Sequence, residues 1–357
     1  MIRMRAMKDI EKIDKNFRVE TKIVKADIKF YSVLCDPFKL YGVFYQDGHL
    51  CRLPERVAKN VSEGVHQLYA NTAGGRVRFR TDSPYIAISV KYNSFAKMSH
   101  FALEGSAGFD LYVGKDYRAS FIPPHAELEE GYEKVVELGK GDMREITLNL
   151  PLYSDIKELY IGLSDTANIS APTPYKFEDP IVYYGSSITQ GGCASRPGTS
   201  YQGFCERALD ANFINLGFSG SAKAENAIIE YIKTLKMSIF VYDYDHNTPN
   251  SNHLMATHEK TFLAIREANP DLPIVIMSRP KVRLSAVEKE YLEIIKATYE
   301  NALSRGDKNV YFIDGKALMA ICGDEGTVDG CHPTDLGFYS MAQALIPVLK
   351  KCLKISE

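Results

Sequence analysis

From residue 181 to residue 351 the chain alternates short apolar runs with longer stretches of helical periodicity. The apolar runs cover residues 181–184, 213–216, 238–242, 273–277 and 310–313. The helical stretches cover 200–210, 222–236, 252–268, 286–304 and 335–351. The last of these carries Leu336, Tyr339, Met341, Ala344, Leu345, Val348 and Leu349, close to one amphipathic stripe. A helix between two strands returns the chain across the sheet, so repeated β–α units force the strands parallel, with helices on both faces. In such a sheet the reactive groups gather at the carboxyl ends of the strands.

The first apolar run leads into Tyr183-Tyr184-Gly185-Ser186-Ser187-Ile188-Thr189-Gln190-Gly191, a glycine-bounded turn at such a strand end. Two readings fit these residues. One is a plain Ser/Thr/Gly turn. The other is a nucleophile turn, in which a serine between strand and helix has an exposed hydroxyl and an outward backbone N–H.

The first half has a different texture. From about residue 28, short runs rich in Val, Ile, Phe and Tyr alternate with turn signals roughly every ten residues. Arg76-Val77-Arg78-Phe79-Arg80-Thr81 alternates basic and apolar residues and predicts a strand with one polar face. The runs 109–113 and 117–121 flank Gly114-Lys115-Asp116 as a hairpin. Nine to eleven short strands without a long helix predict an all-β sandwich or jelly roll. The chain has no Trp, the usual sugar-stacking side chain; Tyr92, Phe95 and Phe101 could replace it, but a scaffold beside the active site fits better than a separate sugar-binding module. The stretch 168–175 holds Pro172 and Pro174, which stop a helix and stiffen the chain. A chain of 357 residues exceeds the roughly 250–300 that one core usually serves. The expected organisation is a charged lead-in over 1–25, a β-sandwich over 26–172 and an α/β domain over 173–357.

Composition narrows the partners. The formal net charge is −2, which favours neither nucleic acid nor an anionic membrane surface. No run approaches the ~20 apolar residues of a membrane span, and no secretory signal is read at the N-terminus. Seven cysteines at irregular spacing, with no Cys-x-x-Cys, fit reduced thiols in the cytoplasm and neither disulfides nor structural zinc.

Four blocks each follow a predicted strand: Gly185-Ser186-Ser187-Ile188; Asn215-Leu216-Gly217-Phe218-Ser219-Gly220; Asp243-Tyr244-Asp245-His246-Asn247; and Asp329-Gly330-Cys331-His332-Pro333. In order and spacing they resemble the SGNH hydrolases, also called the GDSL esterases, over most of residues 178–352. The continuation Thr334-Asp335-Leu336-Gly337 and the upstream Gly108-Phe109-Asp110-Leu111-Tyr112 resemble the branch of that family in which a β-sandwich precedes the hydrolase domain. The resemblance implies a three-layer, flavodoxin-like α/β/α fold with a parallel five-stranded sheet. It implies Ser187 as nucleophile, His332 as general base and then acid, and Asp329 as its orienting carboxylate. It also implies an oxyanion hole of the Ser187 and Gly220 backbone N–H groups and the Asn247 side-chain amide.

Those residue types suit acyl transfer. A serine hydroxyl needs a base to take its proton in the transition state, and an imidazole, with an ordinary pKa of ~6.5, serves near neutral pH. Each oxyanion donor is worth roughly 10²–10³ in rate. Two positions depart from the family. Ser186 stands where an aspartate usually precedes the nucleophile, and the third block lacks Gly-x-Asn-Asp, so that Asn250 and Asn252 compete with Asn247. Asp329 and His332 also fit a polar loop capping the last helix. His246 reads as a surface loop histidine rather than a second base, and Cys331 as a bystander rather than a thiol nucleophile. Arg196 and Arg279 are candidate substrate contacts, or else paired or solvated arginines.

The reading is therefore a serine esterase, without cofactor or metal, that removes small acyl groups, most simply O-acetyl, from a carbohydrate. Its partner is a small-molecule or oligosaccharide ester; self-association as a homo-oligomer is left open. The competing functions are a lysophospholipase or thioesterase, and a non-catalytic glycan-binding protein.

Overall fold

The computed structural model describes residues 23–125 and 128–355. The lead-in expected over 1–25 lies almost wholly outside them.

Among the described residues the first half builds two large antiparallel sheets, beside a two-stranded pair of Phe44–Gln46 with His49–Cys51. One orders its strands Ile28–Ser32, Ser154–Ser164, Tyr85–Phe95 and Tyr132–Glu137. The other runs Ile169–Ser170, Arg76–Thr81, Arg144–Asn149, Phe109–Val113 and Asp116–Phe121, with Lys39–Tyr41 also pairing Arg76–Thr81. Alternate residues of both sheets meet in one core that holds Val77, Phe79, Ile86, Ile88, Leu111, Ile146, Leu148, Ile161 and Leu163. The period-two side-chain pattern of a strand produces this sandwich.

The alternation 76–81 behaves otherwise than its sequence predicts. Arg76 and Arg78 are buried rather than on a wet face. Arg76 lies 3.9 Å from the Phe213 ring centroid and donates to Asn212 Oδ1 at 2.7 Å and to the Phe213 carbonyl at 3.1 Å. Arg78 stacks 4.0 Å from the Tyr175 ring. This face meets the second half of the chain, so its guanidinium groups are covered by aromatic rings and carbonyls instead of water. The helices among these strands, Glu55–Val61, Glu63–Leu68 and Leu103–Ala107, are all short, in keeping with the absence of a long helix in the sequence reading. Ala58 and Val65 from them join the core of the parallel sheet.

The second half forms a parallel sheet ordered Ala211–Gly217, Phe177–Gly185, Ile239–Asp243, Ile274–Met277 and Val310–Ile313. In chain order this is 2-1-3-4-5, the flavodoxin-like arrangement, with its switch point beside the first strand. Val182, Tyr184, Tyr242 and Ile276 enter the core on one face, and Ile181, Tyr183, Val241, Val275 and Met277 the core on the other. Burial on both faces explains why these strands read as continuous apolar runs. Helices Tyr201–Leu209, Asn226–Lys233, Ser251–Ala268, Ala286–Ser304 and Asp335–Cys352 cover them. In the last helix the buried stripe is Phe338, Met341, Ala342, Leu345 and Leu349, while Leu336 and Tyr339 of the expected stripe are exposed. Among the described residues no helix is long and apolar enough to cross a membrane.

Candidate active site

The strand Phe177–Gly185 ends in Gly185, where a β-carbon would overlap Thr189 Oγ1 and the Asp243 carbonyl oxygen. Only glycine permits so close an approach. The chain then turns into the one-turn helix Ser187–Gln190. Ser186 caps it, its hydroxyl accepting the Ile188 N–H at 3.2 Å. This local hydrogen bond is what a carboxylate at position 186 would also make. Gly191 closes the turn in the left-handed region at φ 99°. Ser187 is the first helical residue, so its N–H is among those a helix leaves unpaired at its start.

The turn is fixed from several sides. Thr189 Oγ1 donates to Asp243 Oδ2 at 2.8 Å, and the Thr189 carbonyl accepts from Asn215 Nδ2 and Gln202 Nε2, each at 2.7 Å. Gln190 donates to the Leu152 carbonyl at 3.2 Å and accepts the Ser219 N–H at 2.9 Å, tying the sandwich to the second block.

The fourth block is a compact loop before the final helix. A bridge between Thr327 and Pro333 closes it, with Val328 N donating to the His332 carbonyl at 2.8 Å. Asp329 Oδ1 accepts the N–H groups of Cys331 at 3.0 Å and His332 at 2.8 Å, and Oδ2 lies 2.8 Å from His332 Nδ1. Partial burial would raise the Asp329 pKa, but these hydrogen bonds outweigh it and hold the carboxyl at about 2. A carboxylate only accepts, so Nδ1 carries the proton and Nε2 is left as an acceptor. Nε2 lies 2.9 Å from Ser187 Oγ. The structure thus brings Ser187, His332 and Asp329 into one hydrogen-bonded line at the carboxyl edge of the sheet. Ser187 is 8% exposed, while His332 and Asp329 remain partly open to solvent.

Of the expected oxyanion donors, Gly220 has a left-handed backbone at φ 66° with open space around it. Asn247 accepts the Ala222 N–H through its side-chain carbonyl at 3.3 Å, which leaves its NH₂ end as the donor. The competing Asn250 instead caps the helix Ser251–Ala268 through the His253 N–H, at 2.9 Å.

The two arginines are committed elsewhere. Arg196 donates to Asp110 Oδ2 at 2.7 Å and to Tyr112 Oη at 2.6 Å, and stacks 4.0 Å from the Tyr117 ring. Asp110 is fully buried and also accepts from Gly198 N and Asn149 Nδ2. The Gly-Phe-Asp-Leu-Tyr motif therefore grips the segment that follows the nucleophile turn. Arg279 pairs with Asp245 Oδ2 at 2.9 Å and Glu288 Oε1 at 2.8 Å. His246 is largely covered rather than a surface residue, its side chain keeping 10% exposure. Burial lowers its pKa to about 4, and its Nδ1 faces Cys331 Sγ at 3.8 Å. Cys331 accordingly points to His246 while His332 points to Ser187.

Three contributions lie outside the sequence reading. Arg52, 2% exposed, donates to the backbone carbonyls of Asn215, Gly217, Asn71 and Leu68, clamping the second block. Burial lowers its pKa to about 9. Tyr153 Oη approaches the Ser187 carbonyl at 3.5 Å, and the His100 ring lies 5.8 Å from the His332 ring. The sandwich thus contributes to the walls of this site. Of the aromatic residues considered for sugar stacking, Tyr92 and Phe101 are buried in cores.

A parallel α/β sheet with a hydroxyl, an imidazole and a carboxylate aligned at its carboxyl edge, behind a β-rich N-terminal unit, is the architecture of an ester hydrolase of the SGNH type. Residues 178–350 match the GDSL-like lipase/acylhydrolase family, and residues 28–169 match the N-terminal unit of SGNH-hydrolase-type esterases. A Bacteroides ovatus protein assigned as a GDSL-like lipase shares 30% identity and a TM-score of 0.82, covering 92% of this chain and 99% of its own. A salicylyl-acyltransferase from a tetracycline biosynthetic pathway gives 20% identity and a TM-score of 0.76, covering 93% and 99%. An acetyl xylan esterase from Butyrivibrio proteoclasticus gives 13% identity and a TM-score of 0.58, covering 93% and 100%. No curated protein matches the chain. The chain belongs to the GDSL-like lipase/acylhydrolase family and is a carboxylic ester hydrolase.

Proposed function

We propose that the protein is a serine esterase that removes a small acyl group, most simply acetyl, from a carbohydrate hydroxyl. The observation that carries the catalytic part is the pair of hydrogen bonds joining Ser187 Oγ to His332 Nε2 at 2.9 Å and His332 Nδ1 to Asp329 at 2.8 Å. The carbohydrate part is supported by the shared fold of the acetyl xylan esterase.

In this reading Ser187 Oγ attacks the ester carbonyl carbon as its proton passes to His332 Nε2. Asp329 keeps the imidazole in the required tautomer and stabilises the imidazolium. The tetrahedral oxyanion accepts hydrogen bonds from the N–H groups of Ser187 and Gly220 and from Asn247 Nδ2. His332 returns its proton to the departing sugar oxygen, leaving an acetyl ester on Ser187. Water, deprotonated by the same nitrogen, then releases acetate. No step requires a cofactor.

The test is hydrolysis of nitrophenyl esters from acetate to octanoate, followed by acetate release from acetylated oligosaccharides. Acetate should be the preferred nitrophenyl ester, and Ser187→Ala should lose several orders of magnitude in kcat. A preference for octanoate would replace this reading with a lipid-like acyl hydrolase. Equal rates for wild type and Ser187→Ala would remove the nucleophile.

A further inference from the structure

His332 is held in place by Asp329 and Ser187, but it has two further neighbours. His100 belongs to the turn that leaves the Tyr85–Phe95 strand of the sandwich. Cys193 follows the Gly191-Gly192 pair after the nucleophile turn, buried, with its backbone in the left-handed region at φ 74°. One ligand atom from each of His100, Cys193 and His332 lies within 4.8 Å of the others. Among the described residues this is the one group of three or more His, Cys, Asp or Glu side chains so disposed.

We propose that these three side chains form an inhibitory site for a thiophilic divalent cation of the zinc class, and that its occupation switches the esterase off. The proposal rests on the catalytic role given to His332 above. Two imidazoles and a thiol are the donors that zinc prefers and that magnesium and calcium do not. Bonds of about 2.0–2.3 Å in a tetrahedral site require donors nearer than 4.8 Å, so the cluster must contract by about an ångström. His100 can supply that movement, since it is exposed and its ring contact is with His332 itself. His332 already has its Nδ1 on a carboxylate, the outer support that metal-bound imidazoles commonly carry. The nitrogen left for the cation is Nε2, which now accepts from Ser187. Coordination there displaces the Ser187 hydroxyl and removes the base. Cys193 would bind as thiolate, its proton passing to solvent. Burial pushes that thiol up to about 12, so the cation itself must drive the deprotonation, as a coordinating metal does. The fourth position is open for water or for the freed hydroxyl.

The experiment is a Zn²⁺ titration of nitrophenyl acetate hydrolysis by the full chain, paired with Co²⁺ absorption spectra. Wild type should lose activity with rising Zn²⁺, and millimolar Mg²⁺ or Ca²⁺ should have no effect. His100→Ala and Cys193→Ser should each raise the half-inhibiting Zn²⁺ concentration at least about tenfold, while Cys331→Ser should leave it unchanged. Co²⁺ should give a thiolate charge-transfer band in wild type and in Ser187→Ala, but none in Cys193→Ser. Unshifted inhibition in both His100→Ala and Cys193→Ser, a shift in Cys331→Ser, or no thiolate band in wild type would overturn the proposal. The Co²⁺ spectrum does not depend on turnover, so failure of the esterase reading would be distinct from failure of this one.

Discussion

Asp110 and Arg196 lie on opposite sides of the boundary between sandwich and parallel sheet, and their pairing can be measured. Asp110 is fully buried; its Oδ2 accepts from Arg196 Nη1 at 2.7 Å and Gly198 N at 2.9 Å, and its Oδ1 accepts from Asn149 Nδ2 at 2.8 Å. Asp110→Asn preserves the shape but faces an NH₂ toward donors and strips Arg196 of its countercharge. Removing one partner of a buried pair costs about 3–5 kcal/mol. The Arg196 side chain keeps 21% exposure, so water recovers part of that, and about 3 kcal/mol is expected. With an unfolding entropy near 2.1 cal/mol/K per residue, 357 residues give about 0.75 kcal/mol/K, hence a Tm lowered by about 4 °C. Arg196→Met should cost about 2–3 kcal/mol, since it leaves the carboxylate buried with only neutral donors. The double variant should be less destabilised than the sum, with a coupling of about 2 kcal/mol in a urea double-mutant cycle. A coupling below about 0.5 kcal/mol would show that the motif does not hold the two halves through this ion pair, and the magnitude argued here would be refuted.

Other perturbations address the site more directly. Asp329→Asn should lower kcat by about 10²–10⁴ with little change in KM, because the imidazole loses its tautomer-selecting acceptor; a variant within tenfold of wild type would contradict this. Asp243 is raised to about 7, first by burial and then by Asp245, above its ordinary value of 3.8. The native state therefore keeps a proton that the unfolded chain releases, and stability should fall as pH rises from about 4 to 7. Asp243→Asn should lack that decline; urea midpoints at pH 5 and pH 8 that move in parallel for both proteins would exclude the effect. Gly185→Ala should destabilise by about 1–3 kcal/mol or more and misplace Ser187, read as a lower Tm together with a lower kcat. An active variant of unchanged Tm would mean that the strand end relaxes freely.

Much of the architecture was legible because it is written in local periods. Strands buried on both faces must be continuously apolar, so all five parallel strands appear as runs, and the helices between them carry a 3.6-residue pattern. The sandwich strands were legible from alternation, and the four blocks from glycine, serine, aspartate and histidine spaced for strand ends. Even the substitution at Ser186 was interpretable, since capping is a local hydrogen bond. Side chains whose role depends on a distant surface could not be read this way. Arg76 and Arg78 alternate as a wet face does, yet Phe213 and Tyr175 cover them. Arg196 and Arg279 read either as substrate contacts or as paired or solvated arginines until Asp110, Asp245 and Glu288 are brought to them. Arg52, Tyr153 and His100 stand in no motif, because each meets the site from elements far away in the chain. The sequence by itself determined the elements and the chemical types at their ends. Which polar groups meet across the sandwich and the sheet was decided only by tertiary packing, since burial and pairing are properties of two surfaces at once and no single segment encodes its partner.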